Sequence, residues 1–150
     1  MLFRLSHPPL MFEFPNEWWA EAGTADFIPS RESYLSIVDT RESEVILALQ
    51  EIAPLLRDRN VNRDSNGFRR RGGVDGGPGG MIDVLRAMVN DVPLPPVEVR
   101  RIRGTSYEAF GYVLRDGFHR FYASYALRYS HVPCLIGSDW VTEGQFSDEW

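Results

Sequence analysis

Five consecutive residues hold the side chains and backbone best suited to chemistry: Asp116, Gly117, Phe118, His119 and Arg120. The apolar run 112–114 before them predicts a strand, and residues 118–129, which lack Pro and Gly, predict a helix. The first turn of a helix carries a partial positive charge and unpaired N–H groups, so an anion can bind there. His119 and Arg120 would add donors, and Gly117 would allow close approach of the backbone. The pattern predicts a phosphate site, and the alternative is an ordinary turn followed by a solvated His-Arg pair.

Arginine is the only strongly basic residue in the chain, with sixteen arginines and no lysine among 150 residues. The absence of lysine excludes a P-loop, a Schiff-base enzyme and a lysine general base. Any phosphate must therefore be held by arginine, histidine or backbone amides. The arginine fork matches phosphate oxygens well.

Length and composition predict one domain with a real core, because 43% of the 150 residues are hydrophobic. No apolar run is long enough to span a membrane, and the N-terminus lacks the features of a signal peptide. The single cysteine, Cys134, excludes an internal disulfide and lies in an apolar run, which predicts a buried thiol. A soluble cytoplasmic protein is the expectation, with no membrane partner and an oligomeric state that composition does not define.

Charge is segregated along the chain, although the net charge is only −5. Residues 52–138 carry thirteen arginines against eight acids, whereas both flanks are acidic. Within the basic part, the Arg-rich loop 57–71 leads into a glycine-rich stretch, and residues 62–80 are expected to be flexible. This loop would suit the phosphates of a nucleic acid or of another bound anion, and the alternative is a solubilising insertion.

Hydrophobic periodicity predicts the elements around the site. Strands are expected at 44–49, 97–102 and 134–136, and an amphipathic helix at 81–90. A short helix at 16–22 and a strand at 34–38 are expected within an N-terminal extension, residues 1–43. The predicted fold class is α/β (α+β): a mixed sheet flanked by helices over residues 44–137, followed by an acidic tail at 138–150.

The D-G-x-H-R-x-x-A segment and the following V-P-x-x-I run resemble the ParB/sulfiredoxin-like superfamily. The L-P-P-V-E-V-R run at 94–100 is also similar to sulfiredoxin-like chains. The resemblance covers about residues 44–137 and implies a small α/β domain that binds nucleotides or nucleic acid. It implies that Asp116, Gly117, Phe118, His119 and Arg120 hold phosphates, with ATP, ADP or CTP and Mg²⁺ as candidate cofactors.

The sequence departs from its relatives at the positions that carry their chemistry. Phe118 stands where sulfiredoxin has its catalytic cysteine, so that reaction is not expected. Only fourteen residues follow Ile136, too few for the DNA-binding domain of partition proteins. By analogy with the superfamily's free serine kinases, Glu51 is the candidate base, and His119 is the other candidate catalytic residue.

Two classes of function stay open at this stage. The first is an NTPase or small-molecule phosphotransferase that uses the start of the helix. The second is a non-catalytic nucleotide-sensing or DNA-binding module, with a metal-dependent nuclease between the two.

Overall fold

The computed structural model describes residues 2–4, 11–37, 44–53, 80–103 and 111–142. Loop 57–71, nearly all of the flexible stretch 62–80 and residues 143–150 of the expected tail lie outside these ranges. The strands are β1 (Leu2–Arg4), β2 (Met11–Glu13), β3 (Val45–Ala48), β4 (Ile52–Ala53), β5 (Val97–Arg103), β6 (Tyr112–Asp116) and β7 (His131–Thr142). The helices are α1 (Asn16–Glu21), α2 (Met81–Val89) and α3 (Phe118–Ala126).

Five strands form a mixed, curled sheet in the order β3-β7-β5-β6-β4, and β1 pairs with β2 in a separate two-stranded sheet. The central strand β5 is antiparallel to β6 and parallel to β7. The chain therefore leaves β6, passes through α3 and returns as β7 on the other side of β5. This crossover brings the start of α3 beside the start of β5. Together with the three helices it makes the fold α+β, as the sequence predicts.

The last strand is longer than the sequence predicts. β7 continues through Gly137 to Thr142, past the end of the domain that was expected at residue 137. The Arg100 guanidinium occupies the space where a Cβ of Gly137 would lie. The pairing of β5 with β7 shifts register between Val99 and Arg101 at the same place. Gly137 is therefore a bulge position that admits a neighbouring side chain, and not a turn.

One hydrophobic core joins the sheet, the helices and part of the N-terminal segment. α2 packs on α3 and α1, and α3 packs against β5 and β7. Phe14, Trp18 and Tyr34 from the segment before β3 are buried in this core. Because α3 is covered on several sides, Tyr122 is buried.

The strand expected at 34–38 is reduced to a single bridge between Ser36 and Leu94. The strand expected at 44–49 forms, but Val45 and Ile46 are partly exposed because β3 is a sheet edge. The longest described helices have nine residues, which is too short to cross a bilayer.

The turn between β6 and α3 depends on Gly117 for two separate reasons. Its φ is +94°, and a Cβ at this position would lie 2.8 Å from Cγ1 of the buried Val97. We expect Gly117→Ala to lower the free energy of unfolding by about 2–5 kcal/mol, from left-handed strain plus overpacking. Urea unfolding followed by circular dichroism measures this loss.

Two other glycines separate the causes. Gly23 has φ +75° with open space around its Cβ position, so Gly23→Ala should cost only the backbone term, about 1–2 kcal/mol. Gly111 has neither constraint, so Gly111→Ala should change stability by less than about 1 kcal/mol. Equal losses for Gly117→Ala and Gly23→Ala would show that the contact with Val97 has no energetic weight.

Candidate functional site

The strand, turn and helix predicted around residue 117 are present. β6 ends at Asp116, Gly117 adopts the left-handed conformation, and α3 begins at Phe118. The Gly117 carbonyl accepts the first hydrogen bond of the helix, from the Phe121 N–H at 2.9 Å. The positive end of the α3 dipole therefore lies beside the C-terminal end of β6.

Arg120 folds back over this helix start. Its Nη2 atom would lie 2.9 Å from a Cβ at Gly117, so the guanidinium reaches past its own helical turn. Its Nε atom is buried and has no hydrogen-bond partner among the described residues. A buried donor without an acceptor costs about 1–3 kcal/mol, and more when the group is charged. An incoming acceptor would remove this cost, so Arg120 is the strongest indication of a ligand among the predicted residues.

Strand pairing places three carboxylate side chains in one row across four strands. Asp116 on β6 is opposite Glu98 on β5, and Glu98 is level with Leu135 on β7. Glu44 directly precedes Val45, the partner of Cys134, and so lies level with Leu135. Like charges directly opposite each other destabilise a sheet. The Glu98–Asp116 pair therefore has an unfavourable energy that a bound cation would relieve.

This row lines a cavity of about 400 Å³. Arg120 lines the same cavity, and a largely apolar wall completes it, made of Ile37, Pro95, Pro96 and Leu135. The volume is within the range of small-molecule sites. The described part of the lining contains three acids and one arginine, so it carries a net negative charge although it adjoins the positive end of a helix.

Glu44 contributes a second buried atom without a partner. Its Oε1 atom is buried and accepts no hydrogen bond from any part of the chain that the structure describes. The cavity thus has an unsatisfied donor at Arg120 and an unsatisfied acceptor at Glu44. A ligand that matches it must offer an acceptor to the first and a donor to the second.

The predicted site residues are only partly brought together. Asp116 and Arg120 line the cavity and Gly117 lies beside Arg120, whereas Phe118 packs against the core. His119 lies half-buried in the first turn of α3, and it is not among the residues that line the cavity.

The structure places Glu51 at the opposite end of β6. The Glu51 carbonyl accepts from the Gly111 N–H at 3.0 Å, just before β6 begins. Because a five-residue strand spans roughly 16 Å, Glu51 and Gly117 are separated by about this distance along β6. Its carboxylate accepts from the Ala48 N–H at 3.3 Å and so closes the short 3-10 turn Leu49–Glu51. Glu51 and His119 are therefore not assembled into one group.

Two functional candidates were not predicted from the sequence, Glu44 and Glu98. Glu44 only precedes an apolar run, which gives no signal. Glu98 could have been found, because the hairpin of β5 and β6 sets acidic residues against each other far from its turn.

Buried weak acids lie behind the cavity. Burial raises the pKa of Tyr34 well above its usual range, Arg120 partly opposes this, and Cys134 and Glu44 add to it. The Tyr34 hydroxyl donates to the Pro95 carbonyl at 2.6 Å. Burial also raises the pKa of Cys134 to about 12, against a hydrogen bond from the Leu47 backbone. Cys134 is fully buried, so the prediction of a buried thiol is confirmed.

No family model, curated protein or solved structure matches this chain. The resemblance to the ParB/sulfiredoxin-like superfamily therefore depends on the short motifs quoted above.

The raised pKa values predict that the protein loses stability in alkali. Tyr34, Tyr122 and Cys134 stay protonated in the folded state, whereas in the unfolded chain tyrosine ionises near pH 10 and cysteine near pH 8.5. The unfolded state therefore releases more protons as the pH rises. The contribution of these groups to the free energy of unfolding is fully present below about pH 8.5. At higher pH the free energy of unfolding should fall by roughly 1.4 kcal/mol per pH unit for each group that is ionised in the unfolded chain.

Urea midpoints measured between pH 7 and pH 11 test this. Tyr34→Phe should flatten the fall above pH 10, since one such group is removed, although its loss of a hydrogen bond lowers stability at pH 7. An identical slope in the variant would contradict the assignment to Tyr34.

Proposed function

We propose that this protein binds a nucleotide or another phosphate-bearing ligand in the cavity between Arg120 and the carboxylate row. The observation that carries the proposal is the buried Nε of Arg120, which has no acceptor and lies beside the N-terminus of α3. A phosphate oxygen is the acceptor that this geometry suits best, because the guanidinium fork and the helix dipole both favour an anion.

The carboxylates decide the form in which the phosphate binds. Unit charges about 6 Å apart repel by roughly 3 kcal/mol at an effective dielectric constant of 20. A charged hydrogen bond contributes about 1.5–3 kcal/mol, so one arginine does not overcome three acids. A bare phosphate is therefore disfavoured, and a phosphate that carries Mg²⁺ is favoured.

Glu98 and Asp116 are the residues that would hold such an ion, because they form the like-charged pair. No group of three or more potential metal ligands occurs in the described ranges. The phosphates themselves must then supply part of the coordination, as Mg²⁺ sites of nucleotide-binding proteins commonly require. When bound, the ion supplies neutralisation of the carboxylate pair and of the phosphates.

The apolar wall suits the rest of the ligand. Ile37 is about half exposed, and with Pro95 and Pro96 it offers a surface against which a base or sugar could pack. ATP, CTP and ADP with Mg²⁺ are the ligands to test first. Binding alone is proposed, and phosphorus NMR of the bound nucleotide tests whether it turns over.

Replacing Arg120 should weaken this binding without unfolding the protein. Arg120→Ala should lower affinity for the magnesium complex of the best nucleotide by roughly 1.5–3 kcal/mol, about ten- to a hundredfold. Arg120→Lys should recover only part of this, because an ammonium lacks the fork. Isothermal titration with ATP, CTP and ADP, with and without Mg²⁺, gives these affinities.

Arg31→Ala is the matched control, since it removes the same charge from an exposed ion pair with Asp91. It should bind nucleotide as the unchanged protein does. If Arg120→Ala instead keeps full affinity and melts at a lower temperature, Arg120 braces the turn and the phosphate role is excluded. Absence of nucleotide binding in the presence of Mg²⁺ would overturn the proposal itself.

A further inference from the structure

We infer that the ligand of this cavity carries an organic cation, an ammonium or guanidinium group, that donates to Glu44. The inference rests on the proposed function for the location of the site, but it concerns a different part of the ligand. It is the juxtaposition of an unsatisfied buried acceptor at Glu44 and an unsatisfied buried donor at Arg120 in one cavity that identifies this ligand class.

The first step concerns hydrogen bonding. Buried polar atoms in folded proteins nearly always have a partner, so the Glu44 Oε1 atom indicates a donor that the described chain does not supply. A phosphate offers only acceptors at neutral pH, and it therefore satisfies Arg120 and not Glu44. The donor must come from another group of the same ligand or from a second ligand beside it.

The second step concerns charge. Among the described residues, the lining has three carboxylates and one guanidinium, which leaves two negative charges uncompensated within that set. A neutral donor would satisfy the hydrogen bond of Glu44 but would leave this imbalance. An ammonium or guanidinium group satisfies both requirements through one charge-assisted hydrogen bond.

The third step separates Glu44 from the magnesium pair. Glu98 and Asp116 are exposed at the cavity rim, where a hydrated ion can reach them, whereas the Glu44 Oε1 atom is buried. Mg²⁺ gives up its water reluctantly, so the rim pair suits it better than the buried acceptor does. A guanidinium is only weakly hydrated by comparison. An ammonium can enter when the apolar stem that carries it packs against Leu135 and Ile37 in the cavity wall.

Two small probes without phosphate test this inference in buffer that contains EDTA. Glycinamide has an ammonium donor and a carbonyl acceptor, and acetamide has the same carbonyl without the cation. Titrations followed by the methyl resonances of Leu135 and Ile37 should show glycinamide binding at least tenfold more tightly than acetamide. The methyl resonances of Ile28, which lines a separate cavity near Trp19 and Phe27, should not respond.

Variants assign the effect to Glu44. Glu44→Gln should weaken glycinamide at least fivefold, whereas Glu17→Gln, which neutralises an exposed acid on α1, should have no effect. If Glu44→Gln does not fold, Glu98→Gln should still weaken the probe, because it removes charge from the same lining. Equal affinities for the two probes, or an unchanged affinity in the folded Glu44→Gln variant, would overturn the inference.

The outcomes also separate this inference from the proposed function. A protein that binds a magnesium nucleotide but not glycinamide keeps the phosphate site and loses the cation site. A protein that binds glycinamide but no nucleotide keeps the cavity as a cation site and loses the phosphate role. Failure of both ligands would exclude the cavity as a binding site.

Discussion

The close approach of β5 to the turn before α3 is the constraint on which the rest of the site depends. Val97 comes so near to Gly117 that a side chain there would collide with it, and the turn also needs a left-handed residue. Glycine meets both conditions. Because the turn is fixed in this way, α3 starts directly beside the sheet, and Arg120 can fold back to the end of β6. Loss of this contact would move the helix start and the arginine together.

The electrostatics of the cavity follow from strand register. Pairing across β3, β7, β5 and β6 brings acidic side chains from three strands to one level, with a leucine between them. Such a row is unfavourable within the protein alone, since like charges oppose each other and the described residues supply one nearby arginine. Stability lost in this way at a concave surface is common at functional sites. The proposed ligand compensates it with a metal ion at the rim and an organic cation at the buried acceptor.

The sequence predicted the elements well where periodicity was strong. The amphipathic pattern of α2, the alternation in β5 and the strand, turn and helix around Gly117 were all visible in the sequence. The extent of β7 was not, because Gly137 has the appearance of a turn residue until Arg100 is seen beside it. One of the three carboxylates in the row was hidden because Glu44 joins the site only through pairing between strands distant in sequence.

The Nε–H resonance of Arg120 in a ¹⁵N-correlated NMR spectrum tests the central claim most directly. This proton has no acceptor in the unliganded protein, so it should gain one when the cavity fills. The account predicts a downfield shift of the Arg120 Nε–H on saturation with a magnesium nucleotide, while the Nε–H of Arg86, exposed on α2, stays in place. An Arg120 Nε–H signal that does not move while the nucleotide is bound would contradict the account, because the phosphate would then lie elsewhere.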